Sequence, residues 1–581
     1  MSSVPPSRSP LPASPSQPTL ANLRDQIVAD TNLPLRKRQD VSSALNTLAR
    51  ALGKRPDEIP AHPGYLRDRL KDFTPAMAGL QPGRWNNVMT LFRFARKHVG
   101  LARVPGRYTE PLAPDWAELY RHLNNHKMRY GLSRLAHYCS VGGIGPEEVS
   151  DQVMGAFVED LMNDEVTKKP TRIHRSTCTL WNRAVATVPA WPKRTLSVPD
   201  YLKAYVVPWS AFPASLKAEL NGYLDRMAGK DILADIDFRP LRPRSIETRT
   251  MQLRMYISAL VHRGHDPQTL RSLADLVQVA TVREGLRFFL DRTGGKPTKQ
   301  IHDIASVIKT LARRGVHVDE QHLAELKAIC RSIKLKLNEL AIGMGPSPKN
   351  RDRLRQFNDP INVTALVTLP QRIMAEMRGV KMPTHAQALD VQTAVAIEFL
   401  LMTALRITNL AEIDLDRHLI RSRPGGVVSL AIPRSQVKNR VDIEAELPAE
   451  SVRLLDEYLA LYRPVLLKEP SQWLFPGRDN KKPKSTQALS MRIINCVAMR
   501  CGLKVHVHLF RHIGAKTYLD ANPGAYGLMR LVLGHRSVDT TTKFYCGFEG
   551  PAAMLHFDKH VLMLREQAAS ALPKGRSGIP R

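Results

Sequence analysis

Residues 384–415 read THAQALDVQTAVAIEFLLMTALRITNLAEIDL. The spacing predicts an apolar helix from about Thr384 to Leu405, directly followed by Arg406. Its longest apolar run, Ala394 to Leu405, is twelve residues and is interrupted by Glu398, which is too short and too polar to cross a bilayer. Downstream, short β-branched or alternating runs flanked by Pro, Gly and Asn predict strands around Val427–Ile432 and Asp442–Leu447, with helices from there to the end. The class expected is mainly α with a small antiparallel β-sheet in a C-terminal domain.

Upstream, helical spacing dominates to about residue 345, so the rest of the chain reads as helical modules. At 581 residues one hydrophobic core is not enough, and roughly two to five packed units are expected. The expected division is a disordered Pro/Ser-rich tail at 1–20 and helical modules at 21–112, 113–205 and 206–345. A basic linker at 346–360, the C-terminal domain at 361–550 and a terminal helix and tail at 551–581 follow. Gly53-Lys54-Arg55-Pro56, Gly143-Ile144-Gly145-Pro146 and Gly264-His265-Asp266-Pro267 each follow an apolar-periodic helix. Gly suits the left-handed helix end and Pro the first turn of the next helix. Some 30 to 45 residues after each Gly comes another helix with basic and apolar faces, as three divergent copies of one unit would give; coincidence of a common turn is the alternative.

Lys and Arg number 85 against 54 Asp and Glu, a net charge of +31, which points to a polyanionic partner, nucleic acid before anionic membrane. No amphipathic anchor supports the membrane. The six cysteines are scattered without a Cys-x-x-Cys pair, so a zinc ribbon or a dense disulfide framework is not indicated and a reducing, cytoplasmic location is expected.

Four segments of the last domain carry residues suited to attack on a phosphodiester. In TALRITNLAEIDL, Arg406 offers a planar fork that grips two phosphate oxygens and stays charged. In VKNR, Lys438 lies in the turn between the predicted strands, within reach of a leaving oxygen; Arg434 and Arg440 on the same hairpin are alternative phosphate binders, though an arginine is a poor proton donor. In HLFRH, His508 and Arg511 are three apart and share a face if helical. LGHRSVDTTTKFY supplies His535 and, ten residues on, Tyr545. Tyr518 and Tyr526 compete with Tyr545 by proximity, His506 and His512 with His508, and a packed role for His535 stays open. No Asp, Glu or His cluster at ligand spacing stands in this domain, and no metal or other cofactor is expected.

Arg, Lys in a β-turn, His-x-x-Arg, Gly-His and Tyr, in that order, with LFP at 474–476, is similar to the tyrosine recombinases, the phage-integrase-like family, over roughly residues 361 to 550. The resemblance implies a site-specific DNA recombinase or integrase working through a 3′-phosphotyrosine link, without ATP or metal. Arg406 and Arg511 then clamp the phosphate, Lys438 protonates the 5′-oxygen, His508 is the base-side histidine, His535 the second histidine and Tyr545 the nucleophile. It implies duplex DNA as partner, a homotetramer on two DNA sites assembled through the terminal helix, and leaves accessory proteins open. Residues near 240–345, with Arg242, Arg244, Arg249, Lys299, Lys309, Arg313 and Arg314, take the place of the family's core-binding domain. Relatives often carry Gly and Glu where this chain has Ala404 and Asn409, and the His535 to Tyr545 interval is one residue longer than the commonest spacing. A type IB topoisomerase-like enzyme and a non-catalytic DNA-binding protein on the same fold remain as rival readings.

Overall fold

The computed structural model describes residues 18–71, 73–101, 111–164, 166, 169–201, 205–231, 233, 237–340, 347–421, 423, 426–535, 537–545 and 550–571. The tail expected at 1–20 lies outside these up to residue 17. Thr19 already belongs to the fold, its hydroxyl accepting from Asn22 N at 3.2 Å to cap the first helix. By packing, the chain divides into two compact units, one of residues 1–201, 353–514 and 532–534, the other of 202–352, 515–531 and 535–581.

The first unit contains two separate helical cores. Helices α1 (Leu20–Ala29), α2 (Leu35–Ala51), α3 (Pro63–Leu70) and α4 (Pro82–His98) enclose Leu23, Leu45, Leu48, Leu66 and Phe92. Helices α5 (Pro114–Arg121), α6 (His126–Val141), α7 (Asp151–Asp164) and α8 (Pro170–Thr187) enclose Trp116, Phe157, Trp181 and Trp191. A buried indole usually places its N–H on an acceptor. Here Trp116 Nε1 donates to Ile144 O and Trp181 Nε1 to Arg194 O, both at 2.8 Å.

In the second unit, α9 (Ala214–Ala228), α10 (Pro243–His262), α11 (Leu273–Val277), α12 (Val279–Arg292), α13 (Lys299–Leu311) and α14 (Glu320–Glu339) surround a third core around Tyr223, Tyr256, Leu260, Leu286 and Ile308. The Gly-x-x-Pro turns behave alike in all three cores. Gly53, Gly143 and Gly264 have φ of 65°, 66° and 102°, which a side chain would resist, and Pro56, Pro146 and Pro267 each open a short 3₁₀ turn rather than an α-helix.

Residues 348–358, read from composition as part of an exposed connection, are helical: α15 (Pro348–Arg355) and a 3₁₀ turn bury Leu354 and Phe357. Helices α16 (Pro360–Val367) and α17 (Leu369–Glu376) lead to α18 (His385–Thr403), the apolar helix of the sequence, buried on every side from Val391 to Leu400. Then come α19 (Ile407–Ala411) and a three-stranded antiparallel sheet in the order β1 (Leu419–Arg421), β2 (Val428–Ile432), β3 (Ile443–Glu446). Val428, Leu430 and Ile432 face the core, the alternation that made β2 legible; β1 was not foreseen, being only three residues long. Helices α20 (Ala449–Glu457), α21 (Arg463–Leu466) and α22 (Thr486–Cys501) complete this part, and α23 (Leu509–Ala521), α24 (Tyr526–Val532), α25 (Val538–Tyr545) and α26 (Gly550–Ala571) end the described chain. No helix among the described residues is long and apolar enough to cross a membrane.

Glu398, the one charge in the apolar run, is buried inside α18, where Ser451 Oγ donates to it at 2.5 Å and Gln371 Nε2 at 3.5 Å. Burial, the dominant influence, raises its pKa above the usual 4.5 against the lowering effect of these donors. The folded state therefore holds a proton that the unfolded chain releases, and stability falls as pH rises from about 4.5 through the raised value. Glu398→Gln is expected to raise Tm at pH 8 and to leave it nearly unchanged at pH 4, measured by thermal denaturation at both.

Candidate active site

The end of α18 is shaped by backbone strain. Ala404 terminates the helix in the left-handed region, φ 46° and ψ 35°, a conformation that glycine adopts without penalty. Two residues on, Arg406 is extended (φ −78°, ψ 147°) at the start of α19. Its guanidinium is half-buried, and burial alone lowers its pKa, from a value so high that it remains a cation.

Lys438 sits exposed in the loop joining β2 and β3. Two asparagines anchor that loop: Asn409 Nδ2, from α19, donates to Gln436 O at 3.4 Å, and Asn439 Nδ2 donates to Gly534 O at 2.9 Å. Arg434 is exposed, its backbone N–H donating to Asp442 Oδ1 at 2.6 Å, and Arg440 holds a left-handed φ of 54°.

Arg511, in the first turn of α23, is buried and donates through Nη1 to Ala404 O and through Nη2 to Leu533 O. It joins the backbone just before Arg406 to the backbone just before the Gly-His pair. His508 stands one residue ahead of α23, between the rings of His506, stacked at 6.5 Å, and His512, edge-on at 5.1 Å. His508 is exposed, yet crowding by the surrounding protein, and then the charges of Arg511, His506, Arg406 and Lys438, push its pKa down to about 4. The charges of Arg406, Lys438 and Arg511 thus all act on His508 within the first unit. A cavity of about 1120 Å³ toward the other end of α18, lined by Lys468, Arg478, Lys484 and Arg492 among others, shares no residue with this cluster.

His535 and Tyr545 belong to the second unit. His535 exchanges a 2.9 Å hydrogen bond between Nδ1 and Thr541 Oγ1, its backbone N–H donates to Arg530 O, and Thr541 is fully buried at the start of the last turns of α25. Tyr545 closes α25; its side chain lies outside the described atoms. Tyr518 is half-buried within α23 and Tyr526 opens α24. Sequence reasoning missed three supporting residues. Asn409 and Asn439 flank predicted site residues but carry no chemistry of their own, and nothing in the sequence pairs His535 with Thr541. Among the described residues no group of three or more His, Cys, Asp or Glu could hold a metal ion.

Residues 371–547 match the model of the phage integrase family, which takes in every residue of this cluster as well as His535 and Tyr545. These residues form a phage integrase family domain. Among solved structures, the XerH site-specific recombinase bound to palindromic difH substrate in a post-cleavage complex aligns at 13% identity over 62% of this chain and 98% of its own, with a TM-score of 0.29. A lambda integrase (75–356) dimer bound to a COC′ core site aligns at 14% identity over 57% and 95%, with a TM-score of 0.33. The Tn1549 transposon integrase in complex with transposon right end DNA aligns at 12% over 58% and 98%, with a TM-score of 0.29. No curated protein matches the chain.

Two expectations follow from the geometry of the phage integrase domain. A non-glycine residue held left-handed costs about 1 kcal/mol or more, offset by the ~0.5 kcal/mol of chain entropy that glycine adds to the unfolded state. Ala404→Gly should therefore stabilise the domain by a few tenths to about 1 kcal/mol in urea denaturation. For His508, the folded pKa near 4 lies below the ordinary 6.5, so the unfolded chain takes up a proton that the folded chain refuses. Its contribution to stability is present above pH 6.5 and is lost as pH falls toward 4. Carbon-13 histidine NMR should place its midpoint near 4 and move it upward when inorganic phosphate is added; a midpoint at 6.5 that phosphate leaves unmoved would detach His508 from the cationic cluster.

Proposed function

We propose that the chain is a site-specific DNA recombinase that cuts and rejoins duplex DNA through a 3′-phosphotyrosine intermediate at Tyr545. The observation that carries the reading is the meeting of Arg406, Lys438 and Arg511 around a single histidine within a phage integrase family domain. Such a cluster has an excess of positive charge that a scissile phosphate would neutralise.

In this reading the phosphate enters with its non-bridging oxygens toward Arg406 and Arg511. Arg511 is held by two carbonyls, so its charge is oriented before DNA arrives and needs no reorganisation as negative charge builds in the transition state. Tyrosine, with a free pKa near 10, needs a base or a positive field to attack at neutral pH. His508, neutral in the free protein, can take the phenolic proton, and its basicity rises once phosphate offsets the surrounding cations. The Tyr545 oxygen forms its bond to phosphorus as the bond to the 5′-oxygen breaks, and Lys438 gives that oxygen its proton. Attack of a partner 5′-hydroxyl reverses each transfer, so the phosphoester bond energy is kept. His535, oriented by Thr541, is assigned the second histidine position. Duplex DNA is the substrate, and the exposed Met554, Phe557, Leu562, Met563 and Leu564 of α26 support assembly of copies of this chain on two sites, as a tetramer.

The test is a nicked suicide substrate, a duplex that the chain binds, incubated with the chain without added metal. Wild type is expected to form a covalent protein–DNA adduct that Tyr545→Phe abolishes and that Arg406→Ala slows about 100- to 1,000-fold, the usual cost of removing one transition-state donor. Failure of wild type to form an adduct on DNA that it binds would overturn the proposal.

A further inference from the structure

In three helices of the second helical core, α6, α7 and α8, charge is sorted by helix. Helices α6 and α8 together hold Lys127, Arg129, Arg134, Arg172, Arg175 and Arg183 and not one Asp or Glu, whereas α7 holds Asp151, Glu159, Asp160 and Asp164 and no Lys or Arg. The two basic helices pack closely, because residue 131 is glycine: a Cβ there would lie 2.1 Å from Leu180 Cδ1 of α8. On α8, Cys178, Trp181 and Ala184 turn inward, while Arg172, Ser176, Thr179 and Arg183, spaced four, three and four apart, are exposed along one stripe. Arg172 and Arg183 make no ion pair among the described residues. The equivalent last helix of the first core, α4, also lacks Asp and Glu.

We infer that α8, supported by α6, is a duplex-DNA-binding face, separate from the reacting site, with its exposed stripe directed to the major groove. The eleven residue-to-residue steps from Arg172 to Arg183 rise about 16 Å along the helix, and the major groove is about 12 Å wide, so the stripe crosses it with its arginines toward phosphates or guanine edges. Short Ser176 and Thr179 between them let the helix backbone come near the bases. The acids of α7 keep the charge one-sided, which orients the core on a polyanion rather than only attracting it.

The full-length chain and its Arg172→Gln/Arg175→Gln/Arg183→Gln variant would be titrated with a fluorescent duplex across a salt series. Each phosphate contact contributes about 0.9 to the slope of log K against log salt. The variant should lose about two to three units of slope, single Arg183→Gln about one, and Glu159→Gln on the acidic α7 none. Equal slopes for wild type and the triple variant, with thermal denaturation showing both folded, would overturn the inference. Adduct formation on the suicide substrate separates this from the recombinase reading. An adduct with unchanged slope sinks the α8 face alone, and a lost slope without any wild-type adduct upholds the face while the reaction assignment falls.

Discussion

The guanidinium of Arg511 is the constraint on which the candidate site depends. It is buried and donates to two backbone carbonyls that lie far apart in sequence, Ala404 O before Arg406 and Leu533 O before the Gly-His pair. A buried cation with poor partners is costly, whereas one held by carbonyl dipoles fixes the positions of the segments that supply them. The strained Ala404 backbone fits this arrangement. The left-handed turn there ends α18 and releases Arg406 in an extended conformation, with the Ala404 carbonyl left for Arg511.

Around that tie the electrostatics run against ordinary stability. Three cations and a second imidazole act on His508, and no carboxylate is among the influences on it. Like charges held together in a folded protein lower its stability unless an anion joins them, so such a cluster is a functional-site candidate on physical grounds. The buried Glu398, at the middle of α18, is a different case. It is satisfied by Ser451 and Gln371 and belongs to the packing of the central helix.

Much of the fold was legible. The apolar helix after Thr384 was foreseen from the length of its apolar run, and the two longer strands because alternation leaves a plain trace in hydrophobicity. The glycines at 53, 143 and 264 announced left-handed turns through the Gly-x-x-Pro pattern, and all three have positive φ. What escaped was short or compositionally disguised. Strand β1 has three residues, and the basic run from 348 to 355 is a helix whose one buried residue, Leu354, leaves little periodic signal.

The chain's residue types and their order determined the chemistry on offer: two arginines, a turn lysine, histidines and a tyrosine, with a net charge of +31 that favours a polyanion. They determined too that α18 is a core helix, because no other environment accepts so apolar a run of that length. Which of these side chains meet was left to the tertiary structure. His508 and Arg511 lie about a hundred residues from Arg406, and only folding places their charges within reach of one another. The roles of Asn409, Asn439 and Thr541 were likewise decided there, because a neutral hydrogen-bonding residue shows its purpose only through its partner.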